Sequence, residues 1–354
     1  MNRSEFEKFI VSEPDKTIGQ EIKSQWDLIA KPLDGMGQFE DITVQIGSVL
    51  ESTNPDIAKK AVLVLCADNG IVEEGVSQSG KEVTKLVSTY IGKQQTSVCK
   101  MAQHIGADVI PVDIGICTEE IIPGLLDRKV SMGTKNFRKE PAMTEEEMYT
   151  AILTGIDLVR ECKERGYKLL ATGEMGIGNT TTSTAVAAAL LGVNVKEITG
   201  RGAGASDSEL SHKQEVIQEA LDQYRLDRKN TPEILRCVGG LDIAGMAGIF
   251  IGGAVYHIPV VIDGLISATA ALVAERMKKG VREYMIPSHM SREPAAVHIM
   301  KELNLHPVID ASLALGEGTG AVMMFSLIDM AMALYKDHIT FSDIMLEQYT
   351  RSHL

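Results

Sequence analysis

The sequence has 354 residues, a formal net charge of −13 and an apolar fraction of 44%. This length and composition predict a globular protein with one large domain and room for a smaller one. The negative charge argues against binding to nucleic acid or to an anionic membrane surface. The five cysteines form no CxxC pair and the polar N-terminus shows no signal peptide, so a cytoplasmic protein is predicted.

Helices and strands alternate along most of the chain. Helical spacing of apolar residues predicts helices over residues 4–30, 39–50, 81–105, 143–165, 183–191, 206–225, 267–278, 291–303 and 321–335. Apolar runs predict strands over residues 61–67, 108–114, 169–172, 257–263 and 284–288. A capping pattern at Thr340–Asp343 predicts one more short helix. This order indicates an α/β protein with a parallel sheet. The predicted large domain covers residues 56–324, and the helical ends, 1–55 and 325–354, form a smaller one.

One long apolar stretch has two readings. Residues 243–262 carry no charge over 20 positions, which is long enough to span a bilayer. The stretch also contains four glycines, Pro259 and His257. This composition favours a buried helix that breaks at Tyr256–His257 and continues as a buried strand.

The stretch GEMGIGNTTT, residues 173–182, lies between a predicted strand and a predicted helix. Its glycines allow backbone N–H groups to turn together, and the helix N-terminus adds a positive dipole, so the turn can bind an anion such as phosphate. The spacing resembles a P-loop, with Asn179 in place of the lysine that contacts the outer phosphates of a triphosphate. A phosphomonoester needs no such lysine. The alternative is a tight turn that binds no ligand.

Several glycine-bearing turns are predicted to meet at one edge of the sheet. Ligands of open parallel sheets bind beyond the carboxyl ends of the strands. The turns at 68–70, 173–178 and 263–264 follow predicted strands, and the loops at 200–204 and 315–320 can reach the same rim. A shared site there is stronger evidence for ligand binding than any single loop.

Two carboxylates, Glu174 and Glu317, lie within these glycine turns. Apolar neighbours would desolvate Glu317, raise its pKa and suit it to act as a general base. The alternative is a surface glutamate that caps the following helix. Lys213 can complete a phosphate site, although most lysines are simply solvated. The histidines at 289, 298 and 306 have no metal-ligand spacing, so no metal and no other cofactor is predicted.

The order of these motifs resembles the nicotinate-nucleotide–dimethylbenzimidazole phosphoribosyltransferase family. The resemblance covers nearly the whole chain. The matching segments are Lys31–Gly37 with Phe39–Glu40, Asp68–Gly70, Glu74–Ser77, Gly173–Thr181, Gly200–Gly204, Ser288–Pro294 and Leu315–Ala321. It implies a homodimer with a Rossmann-like large domain and a small helical domain. It also implies small-molecule substrates, namely nicotinate mononucleotide and an aromatic base, without nucleic acid or membrane partners.

The resemblance also implies roles for individual residues. Glu317 is similar to the general base that takes the N–H proton of the aromatic base, and Glu174 to a second carboxylate at the reacting centre. The phosphate and ribose of the donor would contact Gly176, Ile177, Gly178, Asn179, Thr180, Gly202, Lys213 and Ser291. The aromatic base would lie near Ser77, Met175 and Leu315.

Three positions depart from the pattern of that family. Asn69 replaces a usual histidine, Ala296 stands where histidine is frequent, and Ala314 replaces a common arginine. Changes at a pocket edge alter which aromatic base is accepted. Two other functions fit parts of the sequence: a P-loop-like kinase, which lacks its lysine here, and a nucleotide-sensing protein that binds without turnover.

Overall fold

The computed structural model describes residues 2–202 and 204–351. Its centre is a parallel sheet whose strands lie in the order β3-β2-β1-β4-β5-β6. The strands are β1 Lys60–Ala67, β2 Asp108–Gly115, β3 Leu126–Asp127, β4 Leu169–Met175, β5 Val260–Ile262 and β6 Met285–Pro287. This is the Rossmann strand order, which reverses between β1 and β4. The predicted α/β class is therefore confirmed.

Helices cover both faces of the sheet. The longer helices are α2 Lys16–Leu28, α3 Gln38–Leu50, α4 Glu82–Gly92, α5 Ser97–His104, α6 Glu145–Glu164, α7 Asn179–Leu191, α9 Asp207–Tyr224, α10 Thr231–Val238, α11 Leu241–Tyr256, α12 Leu265–Met277, α13 Pro294–Leu303 and α14 Thr319–Lys336. The short ones are α1 Arg3–Glu7 and α8 Val195–Ile198, and 3-10 turns cover Gly70–Glu74 and Val281–Tyr284.

The apolar core has two layers, one on each face of the sheet. Leu63 and Leu65 of β1 point into the layer formed with α6, α11 and α12. Val62 and Val64 point into the opposite layer, which contains residues of α5 and α14. Because both faces of β1 are covered, its whole sequence is apolar after Lys60.

The uncharged stretch 243–262 forms the buried helix and strand that the sequence favours. Helix α11 ends at Tyr256, His257 adopts a left-handed conformation, and β5 follows. Close packing on α6 explains its glycines, since a Cβ on Gly248 would lie 1.9 Å from the carbonyl oxygen of Ile152. Over the described residues, no helix is long and apolar enough to cross a membrane.

The two ends of the chain pack against each other. Trp26 of α2 and Tyr335 of α14 have ring centroids 5.3 Å apart, within a third apolar cluster. Helix α14 begins in the layer beneath the sheet and runs unbroken into that cluster. The boundary of the small domain near residue 325 therefore falls inside a helix and stays a prediction.

Three predicted helices differ from the structure. The helix over 4–30 is two helices, because residues 8–15, with Pro14, interrupt it. The helix over 81–105 divides after Gly92, where Gln94 takes a positive φ of 59°. The capping contacts at Thr340 form, but residues 341–345 remain turns. Phe341 is buried, but Ile344 and Met345 are exposed, so little packing stabilises a helix there.

Candidate active site

A cavity of about 250 Å³ opens at the carboxyl ends of β4, β5 and β6. It lies at the edge that the glycine turns predict. Ten of the predicted site residues line it: Glu174, Met175, Gly176, Ile177, Asn179, Thr180, Gly202, Ser291, Leu315 and Glu317. The structure therefore brings together residues from four separate segments of the chain.

Close backbone contact joins the two glutamate turns. A Cβ on Gly173 of β4 would lie 2.3 Å from the carbonyl oxygen of Glu317. Only glycine permits this approach, so Gly173 explains how the turn before α14 reaches the end of β4. Glu317 itself has a φ of 60°, and its Oε2 accepts the backbone N–H of Val98 at 3.3 Å, near the start of α5. This contact fixes the Glu317 carboxyl group beside the cavity.

The start of α7 forms one end of the cavity. Gly178, with a φ of 91°, is the N-terminal cap of the helix. Over residues 2–202 and 204–351, the backbone N–H of Thr180 has no protein acceptor. The N–H of Ile177, in contrast, donates to Thr84 Oγ1 at 3.1 Å. A helix N-terminus with an available N–H is suited to hold an anion.

Lys213 of α9 lies directly behind Thr180. Its Nζ donates to Thr180 Oγ1 at 2.9 Å and to the carbonyl oxygen of Gly200 at 3.4 Å, and the residue is 2% exposed. Burial lowers the pKa of Lys213 to about 8, against the attraction of Glu293. Glu293 accepts the N–H of Gly202 at 3.0 Å. This end of the cavity therefore carries a buried cation and, near it, the buried carboxyl group of Glu293.

The part of the cavity around Glu174 and Glu317, here called the acidic end, contains several carboxyl groups. Burial raises the pKa of Glu174, a hydrogen bond from Asn179 lowers it, and the charges of Asp242, Asp263 and Glu317 raise it, so that the pKa lies at about 8. A Cβ on Gly316 would lie 2.8 Å from Glu174 Oε1, so the glycine gives this carboxyl group its space. Carboxyl groups here can stabilise positive charge and accept a proton.

Asp263 holds the turn that carries Glu317. Its Oδ2 accepts the N–H of Gly318 and its Oδ1 the N–H of Ala321, both at 3.1 Å. Burial raises the pKa of Asp263, and its neighbour His289 has a pKa lowered by burial. Sequence reasoning placed a turn at 263–264 but assigned neither side chain. An aspartate that ends an apolar strand just before a glycine was the available signal.

Three predicted site residues lie outside the lining of the cavity. Gly178 is buried beneath the turn, and Lys213 lies behind Thr180. Ser77 does not reach the cavity; its Oγ accepts the N–H of Ser79 at 3.4 Å. The side chain of Asn179 also faces away from an anion, because its Nδ2 donates to Glu174 and Asp242.

The three departures from the family pattern have different environments. Ala314 lines the cavity. Asn69 lies beneath the 176–178 turn, where its Oδ1 accepts the hydroxyl of Thr182 at 3.0 Å. Ala296 is 2% exposed within the apolar core. Of the three, Ala314 is the one placed to contact a ligand.

A parallel sheet with a helix start suited to an anion and buried carboxyl groups at its carboxyl edge is typical of an α/β enzyme that acts on a charged small molecule. A sequence profile described as "Phosphoribosyltransferase" matches residues 11–345. The chain belongs to this family, as its motifs predict.

Named relatives agree with this assignment. A nicotinate-nucleotide–dimethylbenzimidazole phosphoribosyltransferase from Acetivibrio thermocellus is 42% identical over 341 residues, covering 94% of this chain and 97% of the relative. One from Ruminiclostridium cellulolyticum is 43% identical over 330 residues, covering 93% and 94%. The crystal structure of CobT from Thermus thermophilus has a TM-score of 0.88 at 34% identity, covering 94% of this chain and 100% of that one.

Proposed function

We propose that this chain transfers the 5-phosphoribosyl group of nicotinate mononucleotide to 5,6-dimethylbenzimidazole or a related aromatic base. The products are α-ribazole 5′-phosphate and nicotinate, for synthesis of the lower ligand of cobalamin. The observation that carries this proposal is one cavity in which Lys213 lies behind Thr180 and the carboxyl groups of Glu174 and Glu317 lie in the lining. The donor has the matching charges, a phosphate at one end and a pyridinium ring at the other.

The phosphate of the donor would bind at the start of α7. Thr180 lines the cavity, its N–H has no acceptor among the described residues, and Lys213 donates to its hydroxyl from behind. Gly202 and Ser291 line the same side and would contact the phosphate or the ribose. A monophosphate needs no further cation, which agrees with Asn179 in the place of the P-loop lysine.

The chemistry would take place at the carboxyl groups. Glu317 takes the N–H proton of the aromatic base while the other ring nitrogen attacks the anomeric carbon of the ribose, and nicotinate leaves from the opposite face. The transition state has oxocarbenium character, which Glu174 stabilises electrostatically when it is ionised, either above its pKa of about 8 or beside the positive charge that develops on the donor. Met175 and Leu315 line the cavity and would contact the aromatic base. Ser77 could reach it only after a rearrangement.

A direct assay tests the proposal. Purified protein is mixed with nicotinate mononucleotide and dimethylbenzimidazole, and nicotinate and α-ribazole phosphate are followed by chromatography. We expect both products in equal amounts and only when both substrates are present. Nicotinate release without the second product would indicate hydrolysis, and tight donor binding without products would favour the sensing function. ATP-dependent phosphorylation would favour the kinase.

We further propose that the chain works as a cytoplasmic homodimer without nucleic acid partners. The family resemblance supports the dimer, the unpaired cysteine pattern supports the compartment, and the net charge of −13 supports the last point. Exposed apolar side chains on α4 and α14, such as Leu86 at 57% and Met330 at 60%, offer surface for a second copy. Sedimentation velocity at micromolar concentration measures the state.

A further inference from the structure

A buried amide links two carboxyl groups beneath the cavity. Asn179 Nδ2 donates to Glu174 Oε2 and lies 3.3 Å from Asp242 Oδ2. Asn179 is 5% exposed and Asp242 is fully buried at the start of α11. An amide nitrogen has two hydrogens, so one can go to each carboxyl group.

Burial makes the ionised form of Asp242 costly. Its other contacts are the backbone N–H of Ile243 at 2.9 Å and the neighbouring Asn69 side chain, and no cation compensates it among the described residues. Burial raises its pKa to about 6. The N-terminal dipole of α11 and these hydrogen bonds offset part of the cost of burying an acidic group, and the raised pKa indicates that a cost remains. This favours a role in the reaction over a role in stability.

We propose that Asp242 is a positioning residue for the transfer reaction, which acts on Glu174 through the Asn179 amide and so fixes both the orientation and the ionisation of that carboxyl group. Asp242 has no surface in the cavity and would not touch a substrate. The proposal rests on the function proposed above, because it assumes that Glu174 acts at the reacting centre.

The two partners of Glu174 act on it in opposite senses. The hydrogen bond from Asn179 favours its ionised form and lowers its pKa, whereas the charge of Asp242 raises that pKa. Asp263, from the end of β5, and Glu317, from the turn before α14, also face Glu174 and raise its pKa, and burial has the largest effect. Removing each partner separately should therefore shift the titration of Glu174 in opposite directions.

The first measurement observes that titration directly. Protein labelled with ¹³C at the glutamate side-chain carboxyl is titrated by NMR, and the Glu174 resonance is assigned by its loss in Glu174→Gln. We expect a transition near pH 8 in the parent protein. In Asp242→Asn it moves to lower pH by about one unit, and in Asn179→Ala it moves to higher pH.

A matched control uses another buried aspartate at the carboxyl edge of the sheet. Asp113 of β2 is 4% exposed and pairs with Lys129 at 3.1 Å, outside the Glu174 network. Asp113→Asn should lower the unfolding temperature and leave the Glu174 titration unchanged. An equal shift in this control would mean that loss of any buried charge moves Glu174, and would overturn the assignment.

The second measurement tests the link to catalysis. We expect Asp242→Asn to reduce kcat about tenfold or more, with little change in the KM of the donor, because Asn179 loses the partner that orients it toward Glu174. This loss should occur although a larger fraction of Glu174 is ionised in the variant. In a Glu174→Gln background the same substitution should have almost no further effect, because the two residues act as a unit. A loss in that background as large as in the parent enzyme would overturn the proposal, as would titration shifts of the same sign in both variants.

These two measurements distinguish failure of the proposed function from failure of the proposed coupling between Asp242 and Glu174. Opposite titration shifts in a protein without transferase activity would refute the proposed function and leave the coupling intact. Transferase activity without those shifts would refute the coupling alone. If Asp242→Asn does not fold, Asn179→Ala, at a helix start that tolerates alanine, carries both measurements against the same control.

Discussion

The two ends of the cavity differ in the charged groups that they bury. At the α7 end the buried cation Lys213 is held by neutral oxygens of Thr180 and Gly200. At the other end Glu174 and Glu317 meet two more buried acidic groups without a compensating lysine or arginine among the described residues. Burial lowers the pKa of Lys213 and raises that of Glu174, each to about 8. In the proposed function, the phosphate of the donor would lie near Lys213 and its reacting pyridinium–ribose bond near the carboxyl groups.

The comparison implies that the acidic end performs the chemistry, and Glu317→Gln tests this with the largest expected effect. Glutamine keeps the volume and one acceptor oxygen, so the turn and its contact with Val98 should survive. Glutamine cannot take the proton of the aromatic base, so kcat should fall by about 10²–10⁴. Steady-state kinetics and donor binding by calorimetry measure both quantities. Nearly unchanged kcat would move the base role to Glu174 or to solvent.

The cationic end should affect binding more than chemistry. Lys213→Ala removes the cation behind Thr180 and should raise the KM of nicotinate mononucleotide about 10- to 100-fold, the usual range for a charge-assisted hydrogen bond. The value of kcat should change much less. Lys213→Arg tests whether positive charge alone suffices in this buried space. A collapsed kcat with unchanged KM would refute the binding role.

The same lysine gives binding a pH dependence. Because burial lowers the pKa of Lys213 from 10.5 to about 8, the side chain is charged below pH 8 and loses its charge above it. The KM of the donor should therefore rise above pH 8, by up to about tenfold per pH unit. Lys213→Ala should lack this rise. A parent enzyme whose KM stays constant well above pH 8 would show that the cation does not contribute to phosphate binding.

The raised pKa of Glu174 should make the free energy of unfolding depend on pH. Glu174 binds its proton more tightly in the folded state, since its pKa rises from 4.5 to about 8. Between these two values the folded state holds more protons, so the free energy of unfolding falls as pH rises, by up to about 1.4 kcal/mol per pH unit from this group. Glu174→Gln should flatten that part of the curve. Chemical denaturation of both proteins at several pH values across this window measures the difference, and parallel curves would contradict it.

Local sequence signals indicated the α7 turn and the two glutamates better than the buried groups that surround them. The strand, glycine turn and helix over 169–191 are contiguous, so spacing alone indicated them. The proximity of Asp242 and Asp263 to Glu174 depends on tertiary packing, because α11 and β5 bring them together from distant parts of the chain. The inward side chain of Asn179 escaped notice for the same reason. Its partner Asp242 is 63 residues away and carries no motif.

Ala314 and Leu315 form the rim of the cavity and should influence which aromatic base is accepted. We expect this effect to be the smallest of those predicted. Ala314 lines the cavity beside Leu315, which is 57% exposed. A methyl group leaves room where a long side chain would restrict the opening. We therefore expect the parent enzyme to accept other benzimidazoles, and purines more slowly. Competition between two acceptors in one reaction gives the ratio of their kcat/KM values directly.

Ala314→Arg and Ala314→Met separate size from charge at this rim. Both side chains are long, so each should narrow the acceptor range several-fold if volume decides, since small changes in an apolar pocket discriminate only modestly. Only arginine brings positive charge toward Glu174 and Glu317, so an additional loss of kcat in that variant alone would report on the acidic end. Strict preference of the parent enzyme for dimethylbenzimidazole would show that other residues set the choice. In that case the aromatic base is held deeper in the cavity, near Met175, and the rim residues affect only its entry.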